Sequence, residues 1–134
     1  MFRRVAIFAA AASALALVAI APAVAQPRPG PPTLVAHPLK GGVYWVQGDA
    51  ANTGFIVGTD GVVVIDTQRS ADVAKLQLAQ IAKVTAKPVK TVILTHGDPD
   101  HVAGLPAFPA GVTIIAHENI RAQIIAAAHD TVTK

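Results

Sequence analysis

Between residues 33 and 67 the apolar positions fall into short runs separated by turn residues. Val43-Tyr44-Trp45-Val46 is one run and Thr53-Gly54-Phe55-Ile56-Val57 a second. Both are rich in β-branched and aromatic residues, which suit a pleated, half-buried surface. Asp60-Gly61 is a hairpin turn signal, and the unbroken run Val62-Val63-Val64-Ile65 follows it. Such a run predicts a strand buried on both faces, ended by Asp66.

The period then changes. Ser70 can cap a helix predicted over Ala71 to Ala86. On a helical wheel Val73, Ala74, Leu78, Ile81 and Val84 fall within an arc of roughly 140°, with Asp72, Lys75 and Lys83 outside it. The stripe is imperfect, because Gln77 lies inside the arc and Leu76 outside. Lys87-Pro88 stops the helix. Thr91 to Thr95 predicts a short buried strand, Val102 to Leu105 one helical turn before Pro106, Val112 to Ile115 a further strand, and Glu118 to about Ala128 a helix. Antiparallel strands followed by helix, strand, turn, strand and helix make a mixed α/β layer pattern.

Composition changes this picture at one end only. The chain has 134 residues, 52% hydrophobic and 14% charged. The apolar excess lies between Val5 and about Ala21, after Arg3-Arg4 and before Ala23-Val24-Ala25. A short basic region, an apolar stretch and a small-x-small site describe a secretory signal peptide over residues 1–25, with an uncleaved membrane anchor as the alternative. Export to the periplasm or beyond the cell follows, without stable membrane association once the signal is cleaved. The next segment, residues 26–32, is a proline-rich linker. Arg3 and Arg4 leave with the signal, so the 11 basic residues become 9 against 8 acidic ones and the net charge falls from +3 to +1. No basic stripe or aromatic-basic interleaving remains to suggest nucleic acid binding. There is no cysteine, so any metal must be held by His and carboxylate.

The candidate chemistry is concentrated in His96-Gly97-Asp98-Pro99-Asp100-His101, which holds two of the five histidines and two of the eight acids. In an extended segment His96, Asp98 and Asp100 point to one side and can converge. Pro99 disfavours a helical conformation at Asp98. His101 joins the group if the chain turns into a helix there. Imidazole and carboxylate are ligands for zinc, iron and manganese. The loop follows a buried strand, and the carboxyl ends of strands are where sites in open α/β sheets usually lie. His37, before Pro38, has no evident partner; His117 suits a helix start and His129 a solvated helix end; Arg69 and Arg121 read as lone charges.

Thr95 to Gly104 resembles the HxHxDH metal loop of the metallo-β-lactamase superfamily. The stretches 42–48, 52–57 and 61–67 resemble the early strands of that fold, and 114–119 the strand and helix start after the loop. The resemblance covers about residues 33–128. It implies an αβ/βα sandwich, of which residues 33–134 would supply the N-terminal half. It implies that His96 ligates a first metal, that Asp100 and His101 ligate a second, that Asp100 also orients a bridging water as the catalytic residue, and that Asp66 supports the loop without ligating. The family's second histidine is here Asp98, either a ligand or an acceptor behind the ligands. Zinc, one or two ions, is the expected cofactor, and the carboxylate also makes iron or manganese suitable. The implied activity is metal-dependent hydrolysis of an ester, thioester, lactone, amide or phosphoester.

The family's remaining ligands come from its second half. A truncated gene product is therefore expected, with a genuine short protein as the alternative, and one sheet face is expected to lie uncovered. A non-catalytic metal-binding remnant is the competing reading, and a di-iron redox enzyme of the same fold a third.

Overall fold

The computed structural model describes residues 30–132, and side chains from residue 30 to residue 127. The signal-peptide reading, linker residues 26–29 and the side chain of His129 lie outside these limits. Among the described residues no helix is long and apolar enough to cross a membrane.

The alternating runs form strands β1 (Val35–Pro38), β2 (Val43–Gln47), β3 (Thr53–Val57) and β4 (Val62–Ile65), which pair antiparallel in sequence order. The hairpin between β3 and β4 is closed by Gly58 N donating to Gly61 O at 2.9 Å. After β4 the chain crosses over through helix α1 (Ala71–Val84) into β5 (Val89–Ile93), which pairs parallel with β4. Helix α2 (Pro99–Val102), a 3-10 turn (Leu105–Ala107), strand β6 (Thr113–Ile115) and helix α3 (Glu118–Val132) follow. β6 extends the parallel part from β5, so one six-stranded sheet runs in chain order.

Helix α1 begins as predicted: the Ser70 hydroxyl accepts from Val73 N at 3.3 Å. It ends two residues earlier than expected, because Thr85 is already extended, φ −153°. Its buried face is Val73, Ala74, Gln77 and Ile81. Val73, Ala74 and Ile81 share one core with Val46, Phe55, Val62, Val64 and Val92 from four strands. Burying side chains of this size contributes roughly 1.5–3 kcal/mol each.

Four expectations need correction. Val62 and Val64 are fully buried, but Val63 and Ile65 are only half-buried, so one face of β4 is covered rather than both. The row Trp45, Gly54, Ile65, Ile93 and Ile115 runs across the sheet on that less covered face. The strand predicted over Thr91 to Thr95 lies two residues earlier, since parallel pairing with β4 ends at Ile93. The helical turn predicted from Val102 starts instead at Pro99, whose fixed φ suits the first helical position. Two residues read as partnerless have partners: His37 stacks on Trp45 at 4.4 Å, and Arg69 forms an ion pair with Asp49.

Candidate metal centre

Because β4 and β5 are parallel, their C-terminal ends lie side by side. Asp66 follows one and Leu94-Thr95 the other, and Asp66 N donates to Ile93 O at 2.9 Å. The turn after β4 is unusual: Asp66 and Gln68 both have positive φ, 63° and 71°. A non-glycine residue there costs on the order of 1 kcal/mol, and aspartate tolerates it better than glutamine. The surroundings offset that cost. Asp66 Oδ1 accepts from Thr95 N at 2.9 Å, and Oδ2 accepts from Thr95 Oγ1 at 2.7 Å. Thr67 donates twice to His101 O, from N at 2.7 Å and from Oγ1 at 2.9 Å. Gly104 N donates to Gln68 O at 3.0 Å. Three consecutive residues thus hold both ends of the His/Asp loop. The close approach requires glycine at 104, where a Cβ would stand 1.7 Å from Thr67 O.

Proton counting then assigns the imidazoles. Asp66 is 4% exposed, and an ionised carboxylate only accepts. Thr95 has one hydroxyl proton and gives it to Asp66. Its oxygen therefore accepts from His96 Nδ1, 2.9 Å away. His101 Nδ1 lies 2.9 Å from Asp66 Oδ2 and must donate to it. Both histidines carry their proton on Nδ1, one directly and one through a hydroxyl. In the neutral imidazoles both Nε2 atoms are then left as lone pairs.

Each lone pair faces a carboxylate. His96 Nε2 is 3.6 Å from Asp98 Oδ2, and His101 Nε2 is 3.5 Å from Asp100 Oδ2. The two rings are 3.9 Å apart between centroids. With neutral rings acceptor faces acceptor, an arrangement relieved by a bound cation or by a proton on Nε2. Two ligands held about 2.1 Å from a tetrahedral zinc stand roughly 3.4 Å apart, close to both spacings. Each His–Asp pair is therefore spaced as two ligands of one divalent metal would be. Asp66, His96 and His101 also offer atoms within 4.8 Å of one another. Both Asp66 oxygens are committed to Thr95 and His101, so its place is behind the histidines.

All four sequence-selected residues thus lie at the end of β5, in two pairs. Asp98 is extended, ψ 143°, and precedes Pro99 as expected. The convergence differs from the expected extended stretch, because Asp100 and His101 already belong to α2. Asp98 is the most exposed of the four, with 74% of its side chain accessible, whereas His101 has 17%. His117 stands at the start of α3, where its carbonyl accepts from Ile120 N at 2.9 Å and its Nδ1 from Asn119 N at 3.3 Å. Sequence reasoning passed over Thr67, Gln68 and the supporting role of Thr95. The only available hint was Gln77, a polar residue in an apolar arc.

Comparison with known proteins identifies the family. Residues 46–122 match the metallo-beta-lactamase superfamily. A linear primary-alkylsulfatase from a Pseudomonas species is 38% identical over 53 residues, 40% of this chain and 10% of that protein. The alpha subunit of a 2,4-dinitroanisole O-demethylase from a Nocardioides species is 33% identical over 97 residues, 71% of this chain and 29% of that one. The chain therefore spans less than a third of either curated relative. Among solved structures, a double mutant of the sec-alkyl sulfatase PisA1 superposes with a TM-score of 0.59 at 27% identity, over 68% of this chain and 16% of that one. A metallo-beta-lactamase from Hirschia baltica gives 0.62 at 23% identity, over 71% and 48%. With the family match covering more than half its residues, the chain belongs to the metallo-β-lactamase superfamily.

Proposed function

We propose that this chain carries the metal-binding half of an exported hydrolase, with His96, Asp98, Asp100 and His101 as ligands. The observation that supports it most is the spacing of each imidazole Nε2 from a carboxylate oxygen, 3.6 and 3.5 Å, which matches that of two ligands on one metal. Zinc suits the tetrahedral spacing. The carboxylate at 98, where the family motif has histidine, makes the set harder and also suits iron or manganese.

When bound, a divalent metal supplies Lewis acidity and lowers the pKa of a coordinated water towards about 7. The chain's own residues do the rest. Asp66 and Thr95 fix both ring orientations before any metal arrives. Asp100, held beside His101 and 41% accessible, is placed to accept a proton from water and orient it. Asp98, on the open side, adds negative charge that favours metal over proton. The substrate is a small molecule with a hydrolysable ester-type bond. Alkyl sulfate esters are the first class to test, because an alkylsulfatase and a sec-alkyl sulfatase are among the relatives. Outside residues 1–25 the sequence carries 9 basic against 8 acidic residues, which gives no reason to favour nucleic acid. Export rests on the basic, apolar and small-x-small pattern of residues 1–25.

The test is metal analysis and sulfate release. The purified chain reconstituted with zinc should hold metal stoichiometrically, and His101→Ala or Asp100→Asn should lose it together with any release of sulfate from an alkyl sulfate. Retention below about one metal per ten chains, unchanged by Asp98→His, would overturn the reading.

A further inference from the structure

The polar break in the apolar face of α1 is connected to the metal loop. Gln77 is fully buried, with 0% exposure. Its Nε2 donates to the backbone carbonyl of Asp66 at 3.1 Å and to Thr53 Oγ1 at 2.9 Å. Gln68, also fully buried, donates from Nε2 to the same Thr53 hydroxyl at 3.0 Å. Thr53 therefore links Gln77, which holds the Asp66 carbonyl, to Gln68, and Asp66 and Gln68 are the two non-glycine residues with positive φ among those described. A buried amide is costly unless its hydrogen bonds are made, and the Oε1 atoms of Gln68 and Gln77 have no partner among the described residues. An apolar side chain would fill position 77 without that cost. What a leucine would lack is the donor to Asp66 O.

We propose that Gln77 is a positioning residue for the metal centre. By holding the Asp66 carbonyl it fixes the left-handed conformation that aims the Asp66 carboxylate at Thr95 and His101, and through them orients both imidazoles. The chain of contacts is continuous: Gln77 to Asp66 O, Asp66 Oδ2 to His101 Nδ1, and Asp66 Oδ2 through Thr95 Oγ1 to His96 Nδ1. No bond in it is longer than 3.1 Å. Without the donor, the turn is free to relax to negative φ, and the carboxylate swings off the loop. The inference rests on the metal-site reading for its effect on affinity, but its first step concerns the metal-free protein.

The experiment compares Gln77→Leu with Thr53→Val in the full chain. Thr53→Val removes the other partner of the same amide and leaves the Asp66 carbonyl bond intact, so it controls for loss of buried polar contacts. In the metal-free protein the His101 Nδ1 proton, held by a buried carboxylate, should give a downfield exchange-protected NMR resonance. Gln77→Leu should abolish it, and Thr53→Val should retain it. Zinc affinity, measured against a chromophoric chelator, should fall roughly 10- to 100-fold in Gln77→Leu, the usual effect of losing a partner behind a ligand, and far less in Thr53→Val. A Gln77→Leu protein that keeps both the His101 resonance and its zinc affinity overturns the proposal. So does an equal loss in both variants, since Thr53 also holds Gln68 and the effect is then that of the Thr53 cluster, not of the bond to the Asp66 carbonyl. If Gln77→Leu does not fold, Gln77→Met supplies the same comparison with a flexible apolar chain. Absence of zinc binding in the parent protein would sink the hydrolase reading while leaving the resonance test of Gln77 intact.

Discussion

Asp66 and His101, 35 residues apart, meet at 2.9 Å between Oδ2 and Nδ1. The carboxylate ends β4 and the imidazole lies in the helix after β5, so only parallel pairing of those strands brings them together. The contact fixes which nitrogen of His101 is available to a metal. Its neighbour Thr95 does the same for His96, so one buried acid orients two ligands.

Asp66→Asn should therefore weaken the site without removing a ligand. The amide presents a donor to one of three groups that now donate to Asp66. Zinc affinity should fall roughly 10- to 100-fold. Stability should fall by about 1–3 kcal/mol, because a buried group loses its partner. Chelator competition and urea unfolding of the metal-free protein measure the two effects separately.

The hydroxyl at 95 should matter more than its methyl group. Thr95→Val keeps the shape but breaks the path to His96, and Thr95→Ser preserves it. Nitrogen-15 NMR of the metal-free protein at mildly alkaline pH should show His96 mainly as the Nδ1–H tautomer in the parent and in Thr95→Ser, and as a mixture in Thr95→Val. An unchanged tautomer in Thr95→Val would remove threonine from the account.

Gly104→Ala should be among the most damaging single-atom additions. The new Cβ would stand 1.7 Å from Thr67 O and 2.7 Å from Ala74 Cβ. Overpacking of this kind costs typically 1–3 kcal/mol. The shift should also disturb the Thr67–His101 clamp, so zinc binding falls together with the thermal midpoint. A midpoint within a degree or two of the parent would contradict the close approach.

Asp98→His should be tolerated by the fold, since 74% of the side chain is accessible. Surface changes of this kind usually lie within about 0.5 kcal/mol. The substitution restores the family motif's second histidine and lowers the negative charge of the set. Zinc should be retained more tightly relative to manganese, read by competitive loading and elemental analysis.

The site was legible in sequence wherever its geometry is local. His96 to His101 declared itself by density, Pro99 by what it does to Asp98, and Ser70 by its helix. The β-branched runs and the Asp60-Gly61 turn gave β2, β3 and β4, whereas β1 was not singled out. The misplaced boundaries have separate causes: strand length at β5 is set by its partner β4, and the start of α2 by Pro99. The support was illegible for a different reason. Thr67 and Gln68 carry no glycine to mark their turn, and their partners are dozens of residues away. Gln77 did leave a trace, as a flaw in an amphipathic pattern.

The change from antiparallel to parallel pairing after β4 also ties metal capture to folding order. Asp66 and Thr95 are separated by a 14-residue helix, and no shorter piece of chain contains both. Closing such a loop is paid in chain entropy before either histidine is oriented. An unfolded or half-formed chain therefore offers a cation only loose, competing donors. High affinity should arrive in one step with the crossover, so metal uptake during refolding can serve as a clock for the docking of β5 onto β4.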